Sequence, residues 1–105
     1  MGRIPVNFVL KEGGTTKGGM KSACVGAHYF VAWLYVDASV RGQGWGSKLM
    51  AAAEEKALKL GCKRIFVDTM SFQAPKFYEK LGFKTCARIL DFYEGYDRIF
   101  FNKDL

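Results

Sequence analysis

The sequence predicts an α/β (α+β) domain, a mixed and mainly antiparallel sheet flanked by helices. Three observations predict it. The segments read in the order β-β-β-α-β-α-β-β, so strands that follow one another directly open and close the chain and only its middle carries crossovers. A sustained helical period occurs in one long stretch, with strand-like runs on either side of it. Half of the 105 residues are hydrophobic, with nine Phe, five Tyr and two Trp, which is enough to pack one core over residues 1–105.

Ile4 to Lys11 (IPVNFVLK) reads as a first strand, and Pro5 near its start suits an edge. Glu12 to Gly14 is a turn. TTKGGMKSACV, Thr15 to Val25, holds a second strand interrupted by Gly18 and Gly19. Tyr29 to Val36 (YFVAWLYV) is aromatic, β-branched and nearly all apolar, as in a strand covered on both faces. DASVRGQ follows as a loop. The period then changes: Trp45, Leu49, Met50, Ala53, Ala57 and Leu60 recur at three- and four-residue spacing, which marks an amphipathic helix closed by Gly61. KRIFVD, Lys63 to Asp68, is a short strand. A second helix is expected from Phe72 or Gln73 to Leu81, with Pro75 in its first turn and Gly82 ending it. FKTCARIL and YDRIFFNK read as two closing strands joined through DFYEG, a turn at Gly95.

The formal charge of +6 suggests an anionic partner, a nucleic acid or a phosphorylated small molecule. The lysines are scattered rather than run together, which favours the smaller ligand. No helix-turn-helix or RNA-binding signature is present, so nucleic acid is not expected as a partner. The longest apolar stretch, Val25 to Val36, falls short of the ~20 residues that cross a bilayer, and no membrane association is expected. The N-terminus lacks the apolar core and cleavage site of a secretory signal. Cys24, Cys62 and Cys86 form an odd set without a CxxC pair. They read as reduced, buried thiols of a cytoplasmic protein, without a bound metal.

The segment VRGQGWGSKLM, Val40 to Met50, puts Gly42, Gly44 and Gly46 at the mouth of the long helix. Glycine is about 1 kcal/mol worse than alanine inside a helix, so their placement needs a reason. The first turn of a helix has N–H groups without internal partners, and the aligned peptide dipoles add partial positive charge there. Glycines let an anion come close to those groups. A Walker loop does not fit, because Ser47 stands before Lys48 where its last glycine belongs. A dinucleotide fingerprint fits poorly: the spacing is GxGxG, and the loop from Asp37 to Val40 separates it from the strand, although Asp68 lies 22 residues beyond Gly46.

RGQGWG, within LYVDASVRGQGWGSKLM, resembles the first signature of the GNAT superfamily of acyl-CoA-dependent N-acetyltransferases. SFQAPKFYEKLGF, Ser71 to Phe83, resembles the second, in which a helix ends in Phe-Tyr-x-x-x-Gly-Phe. Both stand in the right order, separated by one helix and one strand. The resemblance implies a GNAT-like acyl-CoA N-acyltransferase fold and acetyl-CoA as the acyl donor. It implies that Leu34, Tyr35 and Val36 offer main-chain groups to the pantetheine arm. Arg41, Gly42, Gln43, Gly44, Trp45, Gly46 and Ser47 would surround the pyrophosphate, with Trp45 read mainly as core packing. Tyr78 matches the tyrosine that protonates the departing thiolate in many relatives. Ser71 stands where the family commonly has an asparagine that bonds coenzyme A, with Gln73 nearby as a substitute.

The resemblance also implies a small-molecule or protein amine as acceptor, and transfer to it without a covalent enzyme intermediate. His28, Asp37 and Asp68 are the candidates for a base, none of them singled out. Relatives usually begin with helices that wall the acceptor pocket, and with about 40 residues before the arginine-glycine loop this chain reads as an N-terminally shortened single domain. A non-catalytic acyl-CoA-binding or assembly module is the alternative. The aromatic tail hairpin suggests a homodimer.

Overall fold

In the computed structural model, which describes residues 2–105, six strands form one sheet in the order β1-β2-β3-β4-β6-β5. β1 (Arg3–Glu12) and β2 (Thr15–Val25) make a hairpin over Gly13 and Gly14. β2 then pairs antiparallel with β3 (His28–Val36). α1 (Trp45–Lys59) crosses to β4 (Arg64–Met70), which lies parallel to β3, the one parallel pairing in the sheet. α2 (Pro75–Lys80) leads to β5 (Lys84–Tyr93), and β6 (Tyr96–Asp104) returns between β5 and β4. The predicted element order holds, with Pro75 in the first turn of α2.

Both helices pack on one face of the sheet. α1 inserts Leu49, Met50, Ala53 and Ala57, and α2 inserts Tyr78, into a core with Tyr29, Val31, Ile65, Val67, Ile99 and Phe101. The alternation of a strand sends the other residues to the opposite face. There Phe30, Trp33 and Tyr35 remain about half exposed, so the expectation that β3 is covered on both faces is corrected. Phe30 stacks on Phe66 of β4 at 5.1 Å, with His28 edge-on to both rings. Lys103 of β6 ties the helical layer to the sheet: its ammonium meets Glu54 of α1 at 2.7 Å and donates to the Leu81 carbonyl at the end of α2.

Other details differ from the sequence reading. β2 runs unbroken through Gly18 and Gly19, where a Cβ would strike the carbonyl oxygens of Tyr35 and Phe8 at 2.6 and 2.8 Å. The glycines let three strands close up rather than interrupting one. DFYEG is mostly strand: β5 continues to Tyr93 around a bulge at Leu90–Phe92, and the turn is Glu94–Gly95. Cys24 and Cys62 are buried thiols whose sulfurs lie 2.7 Å apart, whereas Cys86 is exposed on β5, contrary to expectation.

Under β1 and β2 the Ser22 hydroxyl donates to the Val6 carbonyl and accepts from the Tyr29 hydroxyl at 2.6 Å, all within the core. Ser22→Ala removes the partner of the fully buried Tyr29 hydroxyl, and the expected loss of stability is about 1–3 kcal/mol. Urea unfolding should show it as a lower midpoint at an unchanged slope.

Candidate active site

The site begins where two strands part. β3 and β4 pair only from His28–Val31 against Arg64–Val67. Next comes a bulge: Lys21 faces Trp33 while Ser22 faces Val31, which leaves Ala32 as the extra residue. A bulge sharpens the local twist and bends its strand. β4 continues along β6 to Met70, and the β4-facing edge of β3 from Ala32 to Val36 has no strand beside it. Two cavities open from that wedge.

The larger, of about 860 Å³, is bounded by Leu34, Tyr35 and Val36 on one side and by the start of α1 on the other. The loop between them is tightly built. Asp37 accepts from the Ser39 N–H at 3.0 Å and the Tyr35 hydroxyl at 3.0 Å, and also from the Ser39 hydroxyl. These bonds hold its carboxyl down at about 2, so Asp37 shapes the loop and is too weak a base to take a proton from an amine. Arg41 folds back to donate from Nε to the Val36 carbonyl at 3.0 Å and, among the described residues, is the one charged side chain lining this cavity.

Gly42 and Gly44 adopt φ of +80° and +78°, a region that L side chains rarely enter, and Gly44 is an N-cap without a side-chain bond. The N–H groups from Gly42 to Ser47 meet no acceptor among the described residues; the next, on Lys48, bonds the Gly44 carbonyl. Six consecutive donors beside an arginine fit a diphosphate, and the parted edge of β3 fits an extended amide-bearing arm. Both are parts of coenzyme A. Gly46 has a different reason: a Cβ there would sit 3.3 Å from the Phe77 ring of α2. Trp45 is corrected from core to rim. It is half-buried, lines the cavity, and carries the Lys48 ammonium 4.3 Å from its ring centroid. Gln43 is exposed and outside the lining, so only its main chain belongs to the donor run.

α2 supplies the third wall through Phe77 and Tyr78. Tyr78 is 6% exposed and packs against Phe77, Phe83 and Phe101. Burial, with a smaller push from the Asp68 carboxylate, raises its hydroxyl to about 12. α2 starts later than expected because Gln73 holds the preceding turn: its Oε1 accepts from the Met70 N–H at 2.9 Å and from the Thr69 hydroxyl at 3.3 Å. Gln73 lines both cavities. Ser71 instead pairs with Asp97 of β6 through main chain and hydroxyl, so its side chain is already engaged.

The smaller cavity, of about 290 Å³, shares Leu34, Gln73, Ala74 and Tyr78 with the larger one. Trp33, Asp68 and Met70 stand on its other side. Of the three candidate bases only Asp68 reaches a cavity; His28 sits at the closed end of the wedge, against Phe30 and Phe66. Lys76 and Lys80 are exposed and line neither cavity. The smaller cavity was missed in the sequence. One signal could have found it: the inward residues Val31 and Leu34 are three apart with small Ala32 between them, which breaks a strand's period of two.

Comparison with known proteins agrees with this geometry. The family model for the acetyltransferase (GNAT) domain matches residues 6–85. The chain is 38% identical over 93 residues to blasticidin-S acetyltransferase of Streptomyces morookaense, covering 88% of this chain and 68% of that protein. Over 75 residues it is 36% identical to an acetyltransferase of Agrobacterium fabrum, of which it spans about half, 55%. A crystal structure of an acetyltransferase from Bacillus cereus superposes with a TM-score of 0.94 at 36% identity, covering 98% of this chain and 74% of that one. The fold is also that of a Bacillus anthracis protein assigned as a streptothricin acetyltransferase and solved in complex with acetyl coenzyme A. There the TM-score is 0.86 at 21% identity, over 97% of this chain and 63% of that one. The match to the family model covers most of the chain, and on that ground the chain belongs to the GNAT family of acyl-CoA-dependent acetyltransferases.

Proposed function

We propose that this chain moves an acetyl group from acetyl-CoA directly to a primary amine of a small molecule or protein. The observation that carries this reading is the meeting of the two cavities at Tyr78, one lined by free N–H donors and Arg41, the other by Asp68. Leu34, Tyr35 and Val36 hold the pantetheine arm along the parted edge of β3, and the run from Arg41 to Ser47 holds the diphosphate. The amine, deprotonated to water, attacks the thioester carbonyl from the smaller cavity. As the C–S bond breaks, Tyr78 gives its hydroxyl proton to the sulfur, while the nitrogen sheds its extra proton to water, which returns one to the Tyr78 oxygen. No cysteine lines either cavity among the described residues, which supports transfer without an acyl-enzyme.

Release of free thiol from acetyl-CoA over a panel of primary amines tests the proposal, with mass spectrometry of the product and of the intact protein. Amine-dependent release with an unmodified protein is the expected result. Tight calorimetric binding of acetyl-CoA with no turnover for any amine would leave a binding module instead. The buried thiols suit a cytoplasmic setting. Among the described residues no helix is long and apolar enough to cross a membrane. β5, an edge strand exposed along its whole length and carrying Ile89, Leu90, Phe92 and Tyr93, is the surface on which we expect a homodimer, to be checked by light scattering.

A further inference from the structure

We propose that Asp68 selects the acceptor by holding the protonated nitrogen of an aliphatic amine, a role that rests on the transfer reading above and narrows it. The two limbs of the site carry opposite signs. Among the described residues, Arg41 is the one charged side chain lining the larger cavity, and Asp68 the one carboxylate lining the smaller. Arg98 occupies only one oxygen of that carboxylate, so what Asp68 offers the cavity is its second oxygen.

The carboxylate is also aimed. Its Oδ2 accepts from Arg98 Nε at 2.9 Å, while its Oδ1 meets no donor among the described residues. Arg98 lines neither cavity. It lies 5.2 Å from the Phe92 ring and 4.9 Å from the Phe100 ring, contacts that hold the guanidinium on Oδ2. Asp68 keeps 28% of its side chain exposed, so an ammonium can reach it. Trp33 and Met70 line the same cavity and give the acceptor an apolar flank beside the one carboxylate. After the nitrogen loses one proton, a remaining N–H can stay on Oδ1 while the lone pair turns to the thioester. Asp68 thus retains the acceptor in the cavity up to the attack, and Arg98 is a positioning residue acting through it.

The test compares 2-phenylethylamine, an ammonium at neutral pH, with aniline, which is neutral there. Both are titrated by calorimetry into the enzyme saturated with CoA and assayed for thiol release from acetyl-CoA. Asp68→Asn should weaken 2-phenylethylamine by about 10–100-fold, the range of a lost hydrogen bond to a charged group. The change should fall in KM rather than kcat, with aniline and CoA binding unaltered. Asp68→Glu should restore part of the preference, and Arg98→Gln should weaken the same amine less. Equal losses for both amines, no loss for either, or no binding of 2-phenylethylamine by the wild type would overturn the assignment. Asp68-dependent binding without thiol release would overturn the transfer reading and leave Asp68 in its place.

Discussion

Tyr78→Phe should lower acetyl transfer by about 10²–10⁴-fold, the range of a lost general acid, while acetyl-CoA binds as it does to the wild type. The substitution removes one oxygen from a ring that packs on three aromatic neighbours: Phe77 at 5.0 Å and Phe83 and Phe101 at 5.9 Å between centroids. Phenylalanine keeps all three, so the fold and the cavity wall should survive. Thiol release at saturating amine is the readout, with calorimetry of acetyl-CoA as the control; equal rates for the two proteins would remove Tyr78 from the mechanism.

The hydroxyl's position also sets a pH signature. Burial holds the group up to about 12, so the acid stays loaded where an ordinary phenol, near 10.0, would begin to ionise. The wild-type rate should therefore show no fall through pH 10 attributable to this group. The sign for stability follows from linkage. With the folded value above the unfolded one, the contribution is complete below pH 10 and is lost between 10 and 12, as the unfolded chain sheds its proton first. Tyr78→Phe should flatten that part of the alkaline unfolding profile.

Most of the frame was legible because it rests on period and on turn residues. Leu49, Met50, Ala53 and Ala57 line the buried side of α1 as their spacing requires, and Pro75 opens α2. The glycine run was legible as a turn into α1, with Gly42 and Gly44 in the left-handed region, whereas the contact of Gly46 with Phe77 depends on a helix distant in sequence. Pairing was harder to read. That β3 leaves β4 after Val31 depends on one extra residue, Ala32, and on β6 running beside β4 to Met70, both settled by contacts distant in sequence. Trp45 shows the same limit: its place in the helical period suits the core, yet at the first turn of α1 the facing wall is a cavity. The exposed aromatics of β3 mislead for a related reason, since an unbroken apolar run does not say whether anything covers its second face.

Gly46→Val should weaken acetyl-CoA by about 10–100-fold, the equivalent of the ~1–3 kcal/mol that overpacking a contact typically costs. The three glycines of the loop are not equivalent. At Gly42 and Gly44 an added Cβ meets nothing within 4 Å, and the obstacle is the left-handed backbone. Gly46 lies within the helix, and there the obstacle is Phe77, whose Cζ and Cε1 would stand 3.3 and 3.5 Å from the first added carbon. Two more methyl carbons crowd α1 against α2, which would spread the unpaired N–H groups at the start of α1 and press Phe77 toward the cavity it lines. The effect should therefore appear in acetyl-CoA affinity, with a smaller fall in thermal stability. Adding Phe77→Ala to Gly46→Val separates crowding from other causes: if the clash is responsible, the double variant regains part of the lost affinity. A folded Gly46→Val protein that binds acetyl-CoA like the wild type would mean that the start of α1 does not seat the diphosphate at all.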